Sequence, residues 1–288
     1  MNTTLQLPTK ARDAAVGSEI HDHFLVSGTD IFALGHYPGN PIYPGVLIAE
    51  RLCRLAETLL HGETGEVMSV DAIKRIQYLD AVLPGDRVEL SASLRTITES
   101  GMEISATARV GDKLKARATL RCIARGKAVA DGVEAQRSDP GGKAGRAMSH
   151  RQIASVLPHR YPFLLLDTIE DYEPGAWIRA RKVVNRASPL FLEQPPPWYP
   201  QGLIIESIGQ AGIALFFMSR DASEPQDIVL GSVGDTTLQH HVPFDVALTI
   251  EARIDRMLQN GVVFSGEARI GNQIVTRVGS LVAMIDPR

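Results

Sequence analysis

The sequence predicts an α+β protein in which one structural unit occurs twice in tandem, and an internal repeat is the first observation behind that prediction. Segments of the first half recur in the same order in the second half, at offsets that drift only from 156 to 160 residues. They are PGVLIAE at 44–50 and PQGLIIE at 200–206, VLPGD at 82–86 and VPFD at 242–245, and ARVG at 108–111 and ARIG at 268–271. Ordered matches at nearly constant spacing indicate a duplicated unit of about 140 residues.

One helix in each unit is the second observation. In the first unit, apolar residues recur at helical spacing from about 45 to 60, directly after Pro44, a residue type that favours a helix start. In the second unit, residues 202–219 are apolar on nearly all sides, which is typical of a buried helix. Each unit is therefore expected to be built around one long helix.

Alternating and β-branched segments after each helix are the third observation. Three lie in the first unit and three at matching places in the second, at 87–94, 103–110 and 115–122, and at 248–254, 262–270 and 274–282. Glycines separate them, as in hairpin turns, at Gly101, Gly111, Gly261 and Gly271. A buried helix followed by antiparallel strands is an α+β layered arrangement. Two such sheets placed edge to edge would protect otherwise exposed strand edges.

A glycine- and proline-rich segment separates the two units. Residues 138–146, SDPGGKAGR, show no apolar periodicity, which is typical of a flexible linker. We therefore predict an N-terminal domain over 1–130, a linker over 131–148 and a C-terminal domain over 149–288. We refer to the two domains as copy one and copy two.

Composition excludes several classes of protein. The formal net charge of −3 gives no electrostatic footprint for nucleic acid or for an anionic membrane surface. The two cysteines, Cys53 and Cys122, lack metal-ligand spacing, so neither a zinc site nor a disulfide framework is expected. No run of about 18 apolar residues occurs, and residues 1–22 lack the apolar core of a secretory signal. We expect a cytoplasmic protein without a membrane span or a nucleic-acid partner.

The most informative segment is GHYPGNPIYPGVLIAE at residues 35–50. It places His36 in a loop whose prolines and glycines restrict the backbone path, and such loops often present catalytic side chains. Gly45 stands at the start of the predicted helix, where free N–H groups favour developing negative charge. Glu50 follows on the same helix. A histidine, an anion-stabilising backbone and a carboxylate together indicate acid–base chemistry on a carbonyl compound.

This segment resembles the active-site motif of the bacterial FabZ-type 3-hydroxyacyl-acyl carrier protein dehydratases. That family's pattern is Gly-His-Phe-Pro-x-x-Pro-x-x-Pro-Gly-Val-Leu-x-x-Glu, and only Tyr37 departs from it. In copy two, LPHRYPFLLLD at 157–167 is similar to the family's N-terminal signature, so the resemblance covers nearly the whole chain. It implies a double hotdog, two tandem domains that each have a long central helix wrapped by an antiparallel β-sheet.

The resemblance also implies how the two copies share one active site, because family members take histidine from one hotdog and the acid from the other. Copy one keeps His36, whereas Leu192 stands fourteen residues before Glu206 in copy two, where the histidine is expected. Copy two keeps Glu206 and adds Gln210 four residues later on the same helix face. This division is similar to that in the double-hotdog dehydratase domains of polyketide synthases. The implied catalytic pair is therefore His36 and Glu206.

The remaining site residues follow from the same resemblance. Gly45 is expected to form the oxyanion site and Gln210 to orient Glu206. Glu50 is interpreted as the relic of a second site, held by hydrogen bonds to Arg54. His159 and Arg160 are interpreted as braces of copy two. The substrate tunnel is predicted to be lined by four residues, Tyr37, Pro41, Tyr161 and Phe163.

The expected reaction is the loss of water from a 3-hydroxyacyl thioester, giving the trans-2-enoyl thioester. Neutral His36 would remove the proton next to the thioester carbonyl, and the Gly45 N–H would stabilise the enolate. Glu206 would protonate the departing hydroxyl, with burial raising its pKa so that it is protonated at rest. No metal or organic cofactor is expected, since the substrate is carried on the phosphopantetheine arm of an acyl carrier protein.

Several alternatives stay open on the sequence alone. A hotdog thioesterase is one, although His36 in its proline-rich loop argues against it. A dehydratase that also isomerises the double bond is another, because the same base could move a second proton. A non-catalytic acyl-binding or scaffold subunit of a synthase is the third. Coenzyme A is an alternative carrier, the pathway could be fatty acid, polyketide or polyene biosynthesis, and the chain could be a monomer or a homodimer.

Overall fold

A computed structural model of the chain describes residues 14–124, 147–186, 191, 196–220 and 227–285. Within those residues the chain forms four helices and twelve strands. The helices are α1 (Ile31–His36), α2 (Gly45–Thr64), α3 (His150–Val156) and α4 (Gln201–Met218). The strands of copy one are β1 (Glu19–Leu25), β2 (Ser69–Tyr78), β3 (Arg87–Thr98), β4 (Gly101–Val110) and β5 (Lys113–Ile123). The later strands are β6 (Met148–Ser149), β7 (Thr168–Glu173), β8 (Trp177–Val184), β9 (Ile228–Leu238), β10 (Val246–Leu258), β11 (Gly261–Ile270) and β12 (Gln273–Ile285).

The long helices α2 and α4 are the two that the sequence predicts. Helix α2 begins at Gly45 and ends at Thr64, four residues beyond the predicted end. The chain leaves the helix through Gly65, whose φ is 66°. A positive φ favours glycine, and the Gly65 N–H donates to the carbonyl of His61. Helix α4 is buried from residue 202 to residue 217. Although α4 is long and apolar enough to span a membrane, 94% of it is buried inside this protein.

All twelve strands belong to one continuous sheet, ordered β1-β3-β4-β5-β2-β9-β12-β11-β10-β8-β7-β6. Helix α2 packs on β1 to β5, α4 packs on β8, β10, β11 and β12, and the two helices pack on each other. The predicted double hotdog is therefore confirmed, with one helix on each half of the sheet.

The two halves join where β2 pairs antiparallel with β9, from Ala72 opposite Thr237 to Gln77 opposite Ser232. This pairing is the expected edge-to-edge contact, and it removes one exposed edge from each half. The predicted domain boundaries stay a prediction, because residues 125–146 lie outside the described part of the chain.

The sequence analysis did not identify six of the twelve described strands, which are β1, β2, β6, β7, β8 and β9. Among them, β2 lies at the centre of the sheet. Its register against β5 shifts twice, between Val70 and Ala72 and between Ile73 and Arg75. Each shift changes which side chains face the core, so the apolar residues of β2 do not alternate in sequence. Regular alternation held in β3, β4 and β5, and these strands extend each predicted segment by only a few residues.

The close approach of α2 and α4 depends on Gly202. A Cβ atom at this position would lie 2.6 Å from the carbonyl oxygen of Val46, so no larger residue fits without moving a helix. The start of α4 therefore lies directly against the first turn of α2. This contact fixes the two helix starts, and the polar residues just beyond them, relative to each other.

Candidate active site

His36 lies at the end of α1, a helix of six residues whose start is capped by Asp30. The Asp30 carboxylate accepts hydrogen bonds from the N–H groups of Phe32 and Ala33 at 3.0 and 3.1 Å. At the other end, the His36 Nδ1 lies 3.0 Å from the carbonyl oxygen of Ile42. Because a carbonyl oxygen only accepts, Nδ1 carries the proton, and Nε2 of the neutral ring keeps a free lone pair.

The surroundings of His36 favour its neutral form. Burial is the largest cause, and the nearby His159 adds to it, while the charge of Glu206 and the hydrogen bond to Ile42 oppose it. Together they lower the pKa of His36 from 6.5 to about 4. His36 is therefore neutral near pH 7, as the sequence analysis expected, and its Nε2 is available as a base.

Glu206 and Gln210 lie one turn apart on α4, a helix that is buried on all sides. Glu206 is 8% exposed and Gln210 fully buried. The Gln210 amide donates to the Glu206 Oε1 at 3.0 Å and to the carbonyl oxygen of Phe163 at 2.8 Å. Its own oxygen accepts from the N–H of Leu165 at 2.9 Å. Gln210 therefore orients Glu206, as expected, and also anchors the loop that precedes β7.

His159 is a site residue whose place the sequence interpretation missed. Its Nε2 lies 3.4 Å from the Glu206 Oε1, and its side chain is only 1% exposed. Its ring centroid lies 5.4 Å from those of His36 and Tyr37. The signal was present in the sequence, because His159 stands in the LPHRYPFLLLD motif, but nothing local shows that this loop reaches the other copy's histidine.

Three potential ligand atoms, one each from His36, His159 and Glu206, all lie within 4.8 Å of one another. His36 comes from copy one and the other two residues from copy two. This cluster has the chemistry of a site for one transition-metal ion, since imidazole and carboxylate are ordinary zinc ligands. It equally has the chemistry of a metal-free acid–base site.

A direct contact between the two loops holds the cluster together. The Arg160 N–H donates to the carbonyl oxygen of Gly35 at 2.8 Å. A Cβ at Gly35 would lie 2.9 Å from the Arg160 carbonyl oxygen and from Phe163, so the approach requires glycine. The Arg160 guanidinium donates to three backbone carbonyls of its own loop, residues 157–159. Arg160 is thus a brace, as interpreted from the sequence.

The ionisation of Glu206 differs from the expectation. Burial raises its pKa, but the hydrogen bond and charge of His159, the charge of His36 and the hydrogen bond from Gln210 lower it more. The net direction is downward, so the prediction that burial keeps Glu206 protonated at rest is wrong. The physical reason is His159, whose contact with the carboxylate favours the charged form.

A cavity of about 350 Å³ opens beside these residues. His36, His159 and Glu206 form its polar wall, and the rest is mainly apolar. The apolar wall comes from both copies, including Val46, Ile48, Ile205, Ile213, Ile228 and Leu281. Such a cavity accommodates an apolar chain with its reactive end at the histidines.

Gly45 lines the cavity at the start of α2. A Cβ atom there would lie 2.8 Å from the Tyr78 ring, so this close packing requires glycine. No side chain caps this end of α2, and among the described residues no backbone carbonyl accepts from the Gly45 N–H. This N–H can therefore bind an oxyanion, which is the role expected for Gly45.

Only one of the four predicted tunnel residues lines the cavity. Tyr37 lies in its wall, and its hydroxyl donates to the carbonyl of Ile228 in copy two. Phe163 is fully buried behind His36, with ring centroids 5.4 Å apart and an edge-on contact. Tyr161 is 75% exposed, because the chain turns between Arg160 and Phe163 and directs it outward. Pro41 is partly exposed and also lies outside the cavity wall.

Glu50 occupies the position related to Glu206 by the duplication, but its contacts are structural. Its Oε2 accepts from the Gly202 N–H at 2.9 Å, at the start of α4, and its Oε1 accepts from Arg54 at 3.2 Å. The hydrogen bond to Arg54 confirms the one that the sequence analysis expected. The duplication relates Gly45 to Gln201 and Val46 to Gly202, so Glu50 binds the N–H one residue beyond the position that corresponds to Gly45. Leu192, which would face Glu50, lies outside the described residues.

Comparison with known proteins identifies the family of this chain. A family model described as ApeI-like, ApeI dehydratase, matches residues 16–113. The 3-hydroxyacyl-[acyl-carrier-protein] dehydratase FabZ of Variovorax paradoxus (strain S110) is 34% identical over 137 residues, which are 46% of this chain and 91% of that protein. FabZ of Shewanella woodyi (strain ATCC 51908 / MS32) is 32% identical over 131 residues, 44% of this chain and 86% of that one.

Solved structures resemble the whole chain rather than half of it. A trans-AT polyketide synthase dehydratase domain from Brevibacillus brevis matches with a TM-score of 0.66 and 13% identity, over 98% of this chain and 99% of that one. The dehydratase domain of RzxB from Pseudomonas fluorescens matches with a TM-score of 0.65 and 13% identity. The match covers 92% of this chain and 94% of that one. These likenesses define a double-hotdog fold. The chain itself belongs to the FabZ family of dehydratases.

Proposed function

We propose that this protein is a dehydratase, a hydro-lyase that removes water from a 3-hydroxyacyl thioester in fatty acid or polyketide biosynthesis. The observation that carries the proposal is the meeting of His36 and Glu206, from two copies of one fold, at the polar end of an apolar cavity. Membership of the FabZ family supports the same reaction.

In the proposed elimination, three groups of the site take part. His36 Nε2 takes the proton from C2 of the substrate, and the Gly45 N–H stabilises the negative charge on the thioester oxygen. The electron pair of the C2–H bond becomes the C2=C3 double bond as the C3–O bond breaks. Glu206 delivers a proton to the departing hydroxyl, which leaves as water. The apolar wall excludes bulk water, which strengthens these interactions.

We further propose that the substrate is presented on the phosphopantetheine arm of an acyl carrier protein. The relatives in the FabZ family are named for that carrier, which supports it over coenzyme A. The test compares one acyl group on both carriers. A kcat/KM that is higher with the carrier protein supports the proposal, and equal or higher values with coenzyme A contradict it.

We propose that the reaction needs no metal, although His36, His159 and Glu206 could hold one. Acid–base chemistry by neutral His36 requires its Nε2 lone pair, which a bound metal would occupy. Dialysis against a strong chelator should therefore leave the turnover rate unchanged, and added zinc should lower it. Loss of activity after dialysis, restored by one metal, would show that the cluster is a metal site.

The proposed function is tested by hydration of a short trans-2-enoyl thioester, followed through the loss of enoyl absorbance. His36→Ala and Glu206→Gln should each lower kcat/KM by roughly 100-fold or more, since each removes a proton-transfer group. Glu50→Gln is the matched control, because Glu50 is the related residue of the other copy. Loss of activity in Glu50→Gln but not in Glu206→Gln would reverse the assignment of the acid.

A wild-type chain that turns over no thioester, across several acyl lengths, would contradict the dehydratase proposal. A thermal shift with acyl thioesters would then distinguish a non-catalytic acyl-binding protein from a protein that does not bind them. Release of free thiol by the wild-type chain would instead indicate a thioesterase.

A further inference from the structure

The cluster contains one more titratable residue than the elimination requires. His36 serves as the base and Glu206 as the proton donor, yet His159 is buried against both of them. Its Nε2 faces Glu206, while its Nδ1 is buried without a hydrogen-bond partner among the described residues. Most buried side-chain nitrogens have a hydrogen-bond partner, so the unsatisfied Nδ1 of His159 calls for an explanation.

We propose that His159 is a positioning residue that acts through Glu206: it holds the proton that Glu206 delivers, so that the general acid of the site is the His159–Glu206 pair. This inference rests on the proposed dehydratase function. Its basis is the 3.4 Å contact between the His159 Nε2 and the Glu206 Oε1, together with the burial of both side chains. Gln210 holds the same carboxylate oxygen at 3.0 Å and so keeps it aligned with His159.

The pair resolves a conflict between the chemistry and the ionisation of Glu206. A proton donor must hold a proton, but contact with His159 lowers the pKa of Glu206 despite its burial. We therefore assign the proton to the His159–Glu206 pair as a unit, because the His159 Nε2 lies in direct contact with the carboxylate.

Protons balance over one cycle. The proton passes from His159 to the Glu206 carboxylate and then to the hydroxyl oxygen, which leaves as water with the electron pair of the C3–O bond. His36 meanwhile gains the C2 proton and becomes an imidazolium. That proton returns to the pair after water leaves, since the ligand atoms of His36, His159 and Glu206 lie within 4.8 Å of one another. The enzyme ends in its starting protonation state.

Few other titratable groups face the pair. Tyr78 on β2 and Tyr199 before α4 lie near Glu206, and burial raises the pKa of both hydroxyls above their usual value, so both stay neutral. The Tyr37 hydroxyl is bound to the Ile228 carbonyl. Asp80 lines the cavity but is paired with Lys115. The pH dependence of the acid is therefore set by His159, Glu206 and His36.

The decisive variant is His159→Gln, which keeps a side-chain N–H for Glu206 but cannot carry the proton. A proton shared by His159 and Glu206 is lost at a higher apparent pKa than a proton that only Glu206 can hold. The alkaline limb of the kcat/KM profile should therefore move down by at least about one pH unit in His159→Gln. We expect kcat above neutral pH to fall about 10- to 100-fold, with KM nearly unchanged.

The matched control is His240→Gln. His240 is another partly buried histidine of copy two, whose Nδ1 contacts the Ile274 carbonyl at 3.1 Å, and it lies outside the cavity wall. This variant should keep the wild-type pH profile of kcat/KM.

A rescue experiment uses His159→Ala. Added imidazole should restore part of the lost kcat by occupying the space that the side chain leaves. If His159→Gln lowers activity but leaves the alkaline limb of the kcat/KM profile in place, His159 contributes only to packing and the proposal is overturned.

Infrared difference spectroscopy tests the pair without any turnover. At neutral pH the wild type should lack the carboxylic acid band of Glu206, identified by its absence in Glu206→Gln, and His159→Gln should show it. The same band in the wild type and in His159→Gln would overturn the proposal. If the wild type hydrates no thioester, the dehydratase function fails, and the infrared titration still decides separately whether His159 controls the Glu206 proton.

Discussion

At the residue scale, one local and one long-range feature favour the neutral form of His36. The Ile42 carbonyl fixes the proton on Nδ1, and burial beside His159 keeps the ring neutral with a pKa of about 4. The loop and the tautomer of His36 depend only on residues of copy one. The low pKa also requires His159, which belongs to copy two. A histidine with the same neighbours in sequence and an open surface around it would titrate near 6.5.

The low pKa of His36 predicts a loss of stability in acid. Between pH 6.5 and about 4 the unfolded chain binds a proton at this position that the folded chain does not. The free energy of unfolding therefore falls as pH decreases through this window, by up to roughly 3 kcal/mol from this residue. Urea unfolding at several pH values should show a shallower dependence in His36→Gln than in the wild type. The exposed His61→Gln serves as control, and identical slopes in all three proteins would contradict the prediction.

Glu50 illustrates a residue that keeps its family position while its contacts are structural. Its carboxylate accepts from the first turn of α4, where a negative charge is favourable. Glu50→Gln should lower the free energy of unfolding by about 1 kcal/mol and leave kcat unchanged. Chemical unfolding of Glu50→Gln beside Glu63→Gln, near the other end of α2, checks this. If Glu50→Gln has the same free energy of unfolding as the wild type, the hydrogen bond between Glu50 and Gly202 does not contribute to stability.

At the scale of elements, α4 is shaped by what lies against it. Every residue from 202 to 217 is buried, so small residues are needed wherever a strand comes close. At Gly212 a Cβ atom would lie 2.4 Å from the fully buried Phe264 ring of β11. At Gly209 on the same helix the nearest atom would be a Leu281 methyl at 3.8 Å. Close packing therefore requires glycine at position 212 but not at position 209.

This difference predicts opposite effects of one substitution. Gly212→Ala should lower the free energy of unfolding by about 1–3 kcal/mol, because the Phe264 ring must move in a filled core. Gly209→Ala should leave stability equal or raise it by up to about 1 kcal/mol, because alanine favours the helix and ordinary contact distance is available. Denaturant unfolding of both variants gives the comparison. Equal losses in both would show that α4 tolerates no added methyl group anywhere.

At the scale of the whole molecule, the pairing of β2 with β9 places two copies of one fold in a fixed relation. The loop of copy one then meets the loop of copy two through Gly35 and Arg160, and α2 meets α4 at Gly202. One complete set of groups results from two incomplete copies. Under the proposed function, both proton-transfer groups therefore come from a single chain.

A complete site within one chain predicts the outcome of a mixing experiment. An equimolar mixture of His36→Ala and Glu206→Gln should remain as inactive as each variant alone, because neither chain contains both groups. The assay is hydration of the enoyl thioester after long incubation. The wild type incubated in the same way is the control. Recovery of activity in the mixture would show that copies exchange between chains.

Much of this molecule follows from sequence reasoning. The repeat, the two long helices and six of the twelve described strands are visible in the sequence, because each depends on a periodic pattern of neighbouring residues. Strand β2 was missed because its two register shifts against β5 break the alternation. The tunnel predictions for Pro41, Tyr161 and Phe163 failed because a loop's sequence does not state which side chains point inward. Tyr37 was placed correctly because it adjoins His36.

Sequence patterns were sufficient to predict the duplicated α+β fold, the division of His36 and Glu206 between the copies, and a Gln210 that lies on the Glu206 face of α4. The ionisation of that acid, in contrast, depends on the folded structure. His159 and Glu206 are far apart in the chain, and their contact exists because the two loops and α4 converge on one buried point. A pKa depends on through-space charges and burial rather than on sequence neighbours, so a folded structure is needed to assign the proton.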